Sequence, residues 1–263
     1  MFEFKLINMN FHSILNGKLK GTYIRNIHLP ISILSLIFCF LLAGSTYQEF
    51  SFLYDDISYL GNANLNPNGF IFWSIGMAFA GFMILLLIPS LFMRLNQQKN
   101  PNFLGKAFIQ SNHSKLLKKA VYVAQSIGKF FIILFPIGMI GLGVFQEAWF
   151  PLFIHQFNAT LAFGGLFLGI FFIGFTILFS TEIPRVKKIF FSILGWLGPL
   201  AMVISQGFKY LKYGTFDRYC GFGQPGFCDL WFVFSVYEWI LFFSAMACVF
   251  IFFYIFFSDS FDP

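Results

Sequence analysis

Charged residues are scarce in this chain. They make up 11% of 263 residues, where a soluble domain carries about 25%. Signatures of soluble enzymes are missing as well. There is no phosphate-cradling GxxxxGK[ST] loop, no GxGxxG dinucleotide fingerprint, no HExxH zinc pair and no GxSxG nucleophile elbow. No sequence repeat at a period of roughly 20–50 residues, no heptad stretch and no low-complexity linker interrupts the chain. No cleavable signal peptide is evident, because residues 1–28 are mixed and polar ahead of the first apolar run.

What stands in place of charge is apolar surface. The chain is 58% hydrophobic and 22% aromatic, with 43 Phe and a mean hydropathy of +0.75. Water offers no place for so many rings, whereas outward-facing apolar side chains cost nothing in lipid. A span needs about 20 mostly apolar residues, and six runs qualify: Leu29–Tyr47, Gly69–Phe92, Val121–Phe145, Leu152–Ser180, Ile189–Gly207 and Phe232–Phe257. Pro89, Pro136 and Pro199 lie inside runs and predict kinks, since neighbouring groups can satisfy the carbonyl that each proline frees. The expected fold is therefore all-α, a polytopic membrane bundle of six transmembrane helices. Residues 1–28 form an N-terminal tail, 29–257 the bundle and 258–263 a short second tail.

Lys and Arg orient the bundle. Thirteen of the 17 basic residues fall in the N-terminal tail, the loop after the second run and the loop after the fourth. Only Lys209, Lys212 and Arg218 fall on the other side, which instead gathers Glu49, Asp55, Asp56, Glu147, Asp217 and Asp229. The positive-inside rule then predicts that both termini are cytoplasmic. The net charge of +6 follows from this topology and from anionic headgroups, with no nucleic acid implied. The predicted location is an integral one: the plasma membrane in a prokaryotic host, an endomembrane or the plasma membrane in a eukaryotic one.

Cysteine is sparse and unevenly placed. Cys220 and Cys228 bracket a Gly- and Pro-rich turn in the last outer loop, and an oxidising outer face predicts a disulfide between them. No His accompanies the pair, so zinc is not expected. Cys39 and Cys248 sit within runs as small apolar residues.

Polar residues inside a membrane demand a reason, because an ionisable group at mid-helix costs about 2.5–3.5 kcal/mol on insertion scales. Glu238 lies about two turns below the outer end of the sixth run. Lys129, on the third run with Gln125 one turn before it, has a stem long enough to snorkel to cytoplasmic headgroups. On the fourth run His155, Asn158, Ala162, Gly165 and Gly169 share one helical face. That face is either a close-packing seam with a satisfied histidine or one wall of a polar pocket completed by Glu238 and loop acids.

Three segments together resemble the six-span DRAM/FRAG/SFK family, whose fold unit also forms the N-terminal region of a yeast cell-wall protein that remodels GPI-anchor lipids. They are Ile57-Ser58-Tyr59-Leu60-Gly61 with Pro67 and Phe70-Ile71-Phe72, then Gly143-Val144-Phe145-Gln146-Glu147 with His155 and Ala159, then Glu238-Trp239. Tyr59 stands where the family often has an acid, a place that Asp55 or Asp56 would have to fill. The LGN…NPNG form is also similar to prokaryotic six-span relatives. The resemblance implies a shared outer-leaflet site or polar knot and a role in lipid handling.

Three readings stay open. The first is a protein that binds or organises lipid, or a lipid-modifying protein complex, through His155, Asn158, Glu238, Gln146, Glu147, Asp55 and Asp56. The second is an intramembrane lipid enzyme with His155 as acid/base and Glu238 or Asp56 beside it. The third is a small proton-coupled transporter using Glu238 and His155. The first is preferred, so catalysis is not assumed. Membrane lipids and a membrane-protein partner are the expected company; no metal or cofactor is implied.

Overall fold

The computed structural model describes residues 14, 16–48, 50, 57–97, 114–146, 148–178, 186, 189, 193, 196, 200, 203–204 and 234–257. Among them there is no strand. Five helices carry the architecture: α1 Gly21–Thr46, α2 Phe70–Gln97, α3 Ser114–Val144, α4 Leu152–Leu178 and α5 Phe234–Phe256. Four of them, α1 to α4, are long and apolar enough to cross a membrane. This is the integral membrane protein that the composition demands. Helices are the natural form for such runs, because hydrocarbon gives a backbone N–H no partner but its own chain.

Side chains on the bundle exterior fit that setting. Leu34, Phe38 and Phe153 are 62%, 61% and 68% exposed, a loss in water and none in lipid. Residues 186, 189, 193, 196, 200, 203 and 204, in and just before the fifth apolar run, are helical and exposed. Their steps of three and four mark one helix face, and the Trp196 ring meets Phe171 of α4 edge-on at 5.1 Å.

Helices α1 to α4 run alternately up and down, and α5 runs in the same direction as α4, with Glu238 near its start at the end where Ile57 lies. Short hydrogen-bonded turns join α3 to α4, where Phe150 N–H donates to Gln146 O at 3.0 Å. The α3–α4 seam is close-packed. A Cβ on Gly138 or Gly141 would collide with the Ala162 backbone or the Asn158 side chain, so only glycine lets these two backbones meet. The small-residue face on α4 is thus a packing face along Asn158, Ala162, Gly165 and Gly169.

The helices also reach beyond their apolar runs. α1 begins at Gly21, eight residues before the hydropathic run, and passes through a π-helical turn at Ile24–His28. Here Gly21, Ile24 and His28 are buried, and His28 Nε2 lies 2.8 Å from Met83 O of α2. Ahead of it the chain turns at Gly17 (φ +68°), in the left-handed region that glycine adopts without cost. A Cβ there would strike the Pro89 carbonyl, so Gly17 lies directly on the proline of α2.

The two ends of the bundle differ chemically. At one end Arg25 stands over the Tyr254 ring at 5.6 Å, Arg94 over Phe257 at 4.5 Å and Lys129 over Phe92 at 5.6 Å. Desolvated contacts of this type are worth about 0.5–2 kcal/mol each. Gln125 donates through Nε2 to Leu95 O, satisfying a carbonyl that the end of α2 leaves open. We call this the basic end. The opposite, polar end is where the candidate site lies.

Candidate functional site at the polar end

The polar end is built outward from one amide. Asn66 is fully buried, and its Nδ2 donates to Ala43 O at 2.9 Å and to Leu60 O at 3.1 Å. Thr46 Oγ1 donates to its Oδ1 at 3.4 Å, and Phe70 N–H donates to its main-chain carbonyl at 2.9 Å. One residue therefore ties the end of α1 and the 3₁₀ turn Ile57–Gly61 through its side chain, and the start of α2 through its main-chain carbonyl. Asn66 was not among the candidates read from the sequence. Its signal is the Asn66-Pro67-Asn68-Gly69 turn ahead of an apolar run, where a buried amide has a helix start to organise.

Glu238 holds the same turn from the far end of the chain. Its Oε2 accepts from Ile57 N–H at 3.0 Å, so the carboxylate meets the turn where main-chain N–H groups are unpaired. The next residue, Trp239, is buried and meets Phe40 edge-on at 5.1 Å and Phe50 at 5.9 Å. Two segments of the family resemblance, Ile57–Gly61 and Glu238-Trp239, are thus one contact in space.

Gln146 does similar work between α2 and α3. It is buried and its Nε2 donates to Ser74 Oγ at 2.7 Å. Its Oε1 is buried and has no hydrogen-bond donor among the described residues. Such an acceptor carries a desolvation penalty of about 1–3 kcal/mol.

On α4, His155 and Asn158 are both buried. Asn158 Nδ2 donates to Ile154 O at 2.9 Å, and its amide fills the notch left by Gly141. These contacts place Asn158 in the α3–α4 seam, one turn beneath His155. The structure thus gathers Gln146, His155, Asn158 and Glu238 at the polar end, and gives Gln146, Asn158 and Glu238 protein partners there. Lys129 stands apart, near the basic end over Phe92. Asp55, Asp56, Glu147, Cys220 and Cys228 lie outside the described residues. Among the described residues no group of three His, Cys, Asp or Glu could hold a metal ion.

No protein-family model, curated protein or solved structure matches the chain. The polar end must therefore be read from its own chemistry. Two functions are visible in it. Asn66 and Glu238 fix the 3₁₀ turn on the helix ends, and Gln146 brings a buried acceptor to the level of Ser74 and His155.

Proposed function

We propose that this is a six-span membrane protein, with both termini cytoplasmic, that binds or organises lipid through the polar end of its bundle. The basic end then faces the cytoplasm, in keeping with the Lys and Arg bias. The polar end meets the outer leaflet.

One observation carries the reading: the buried Gln146 Oε1, an acceptor with no donor among the described residues. Buried polar groups are nearly always paired, and lipid headgroups bring hydroxyl, amine or amide donors to this depth. Glu238 and His155 stand at the same end. The likeness of the three motifs to the DRAM/FRAG/SFK family agrees with a lipid role. Transport is the weaker alternative, because Phe252, Phe253 and Phe257 are fully buried toward the basic end and offer no polar route.

The test is lipid identification by mass spectrometry on the purified protein. Wild type retains a headgroup class that Gln146→Leu and the His155→Ala/Glu238→Ala pair lose. Indistinguishable lipid retention in all three removes the headgroup site.

A further inference from the structure

One buried polar pair links α2 to the turn between α3 and α4. Gln146 Nε2 donates to Ser74 Oγ at 2.7 Å, and both residues are more than nine-tenths buried. The bond leaves two capacities unused. Gln146 Oε1 has no donor among the described residues, and Ser74 Oγ, which accepts here, still carries a proton of its own.

The bundle closes this pair from below and from above. Beneath it, a Cβ on Gly143 would strike the Ser74 carbonyl and the Ala78 main chain, so α2 and α3 touch there through their backbones. Above it stands a pair of rings. Phe70, one turn before Ser74 on the same face, meets Trp149 edge-on with centroids 5.4 Å apart. Trp149 itself follows Gln146 in the turn, its N–H donating to Gln146 O at 3.2 Å. The rings therefore lie about one helical turn, roughly 5.4 Å, outward of the polar pair. Trp149 is 64% exposed, and Ile71, Ile75 and Val144 nearby are half exposed toward lipid.

These limits select the chemistry that can bind. A group that reaches Gln146 Oε1 beneath the rings must be small. None of Phe70, Ser74, Gln146 and Trp149 is charged, so an ammonium or phosphate brought among them loses water and gains no counter-charge from them. A hydroxyl matches both unused capacities. Its proton goes to Gln146 Oε1 and its oxygen accepts from Ser74 Oγ–H, closing a ring of three hydrogen bonds with the existing one. With the amide turned over, the same ring runs in reverse. Water could donate and accept as well, but its second O–H would be left against the rings, short of the usual number of about three bonds. An alcohol has one proton and no such remainder.

We propose that Ser74 and Gln146 bind, beneath the Phe70–Trp149 rings, a membrane lipid whose polar head is a single hydroxyl, as in a diacylglycerol or a sterol. The proposal deepens the lipid-binding reading and rests on it, naming the class of head that the Gln146 acceptor takes.

The experiment uses the full-length protein in phosphatidylcholine nanodiscs that also hold dioleoylglycerol, cholesterol or, as the charged comparison, phosphatidylethanolamine. The protein is re-extracted, retained lipid is quantified by mass spectrometry, and thermal midpoints are measured in the same discs. Wild type should retain a bare-hydroxyl lipid beyond its share of the disc and melt higher in its presence. The dioleoylglycerol and cholesterol arms tell which source supplies the hydroxyl. Gln146→Leu should lower that retention about tenfold, the effect of losing one hydrogen bond, and should abolish the rise in midpoint. Ser74→Ala opens the ring at its other side and decides the matter if Gln146→Leu does not fold.

Equal retention of the bare-hydroxyl lipids by wild type and a folded variant overturns the proposal. Two outcomes separate it from the broader reading. If Gln146 governs retention of phosphatidylethanolamine and of neither bare-hydroxyl lipid, the proposal falls and the lipid-binding reading stands. If retention of none of the three lipids changes in a folded variant, both fall, and water is left as the partner of the amide.

Discussion

Replacing Asn66 tests how the polar end is held together. Its amide donates to two main-chain carbonyls, Ala43 O and Leu60 O. These do not suffer equally when it is cut to alanine. Ala43 O keeps a donor in Thr46 Oγ1 at 2.9 Å, so its loss is an ordinary bond of about 1 kcal/mol. Leu60 belongs to a fully buried residue, and its carbonyl loses the amide that reaches it from outside the turn, at about 1–3 kcal/mol. Asn66→Ala should therefore destabilise the bundle by about 2–4 kcal/mol. Asn66→Asp is the sharper test, since it keeps the shape and removes both donors. An ionised carboxylate would face two carbonyl oxygens at hydrogen-bond distance, the worst of the arrangements. When protonated it regains one donor. Its folded-state pKa is therefore raised, and the penalty grows as pH rises above about 4, the unfolded value. Thermal unfolding in detergent, followed by intrinsic Trp fluorescence at pH 5 and pH 8, should rank wild type above Asn66→Ala. Asn66→Asp should stand lowest at pH 8 and recover part of its loss at pH 5. A variant with aspartate as stable as wild type at pH 8 would refute the bonding described for this amide.

Three further outcomes follow from the same contacts. Glu238→Gln keeps an acceptor for Ile57 N–H but loses its charge, so it should cost about 1 kcal/mol, against about 2–3 kcal/mol for Glu238→Ala, read by the same melts. Gly141→Leu should separate α3 from α4 and prevent recovery of monodisperse protein on size exclusion, whereas Gly44→Leu, where a Cβ meets nothing within 4 Å, should be recovered normally. Under non-reducing denaturation, maleimide–polyethylene glycol should shift the chain by two thiols, Cys39 and Cys248, and by four after reduction; four without reductant argues against the Cys220–Cys228 bond.

Much of the architecture was legible because hydropathy marks what lipid tolerates. Four of the expected runs appear as helices of spanning length, and α5 falls wholly within the sixth. Helix ends were less legible. α1 starts in Gly-Thr-Tyr-Ile-Arg-Asn-Ile-His, which averages as polar although Gly21, Ile24 and His28 form a buried face at steps of three and four. Likewise α3 begins at Ser114, ahead of its apolar run. At the candidate site Glu238 was conspicuous as a charge in an apolar run, but its partner is a main-chain N–H. Hydropathy cannot indicate that partner, since every residue but proline has one. Asn66 was hidden for the opposite reason. In a turn sequence an asparagine is unremarkable, and only the approach of α1 and the 3₁₀ turn makes its amide indispensable.

The bond between Ile57 N–H and Glu238 also sets an order of construction. The two groups are 181 residues apart in sequence, and chains are synthesised at roughly 5–20 residues per second, so the turn between α1 and α2 waits about 10–40 s for its carboxylate. During that interval the early helices must remain in the membrane with an uncapped turn between them. A truncated chain ending before α5 would keep the turn in that unfinished state. Helix α5 thus completes a connection begun with α1.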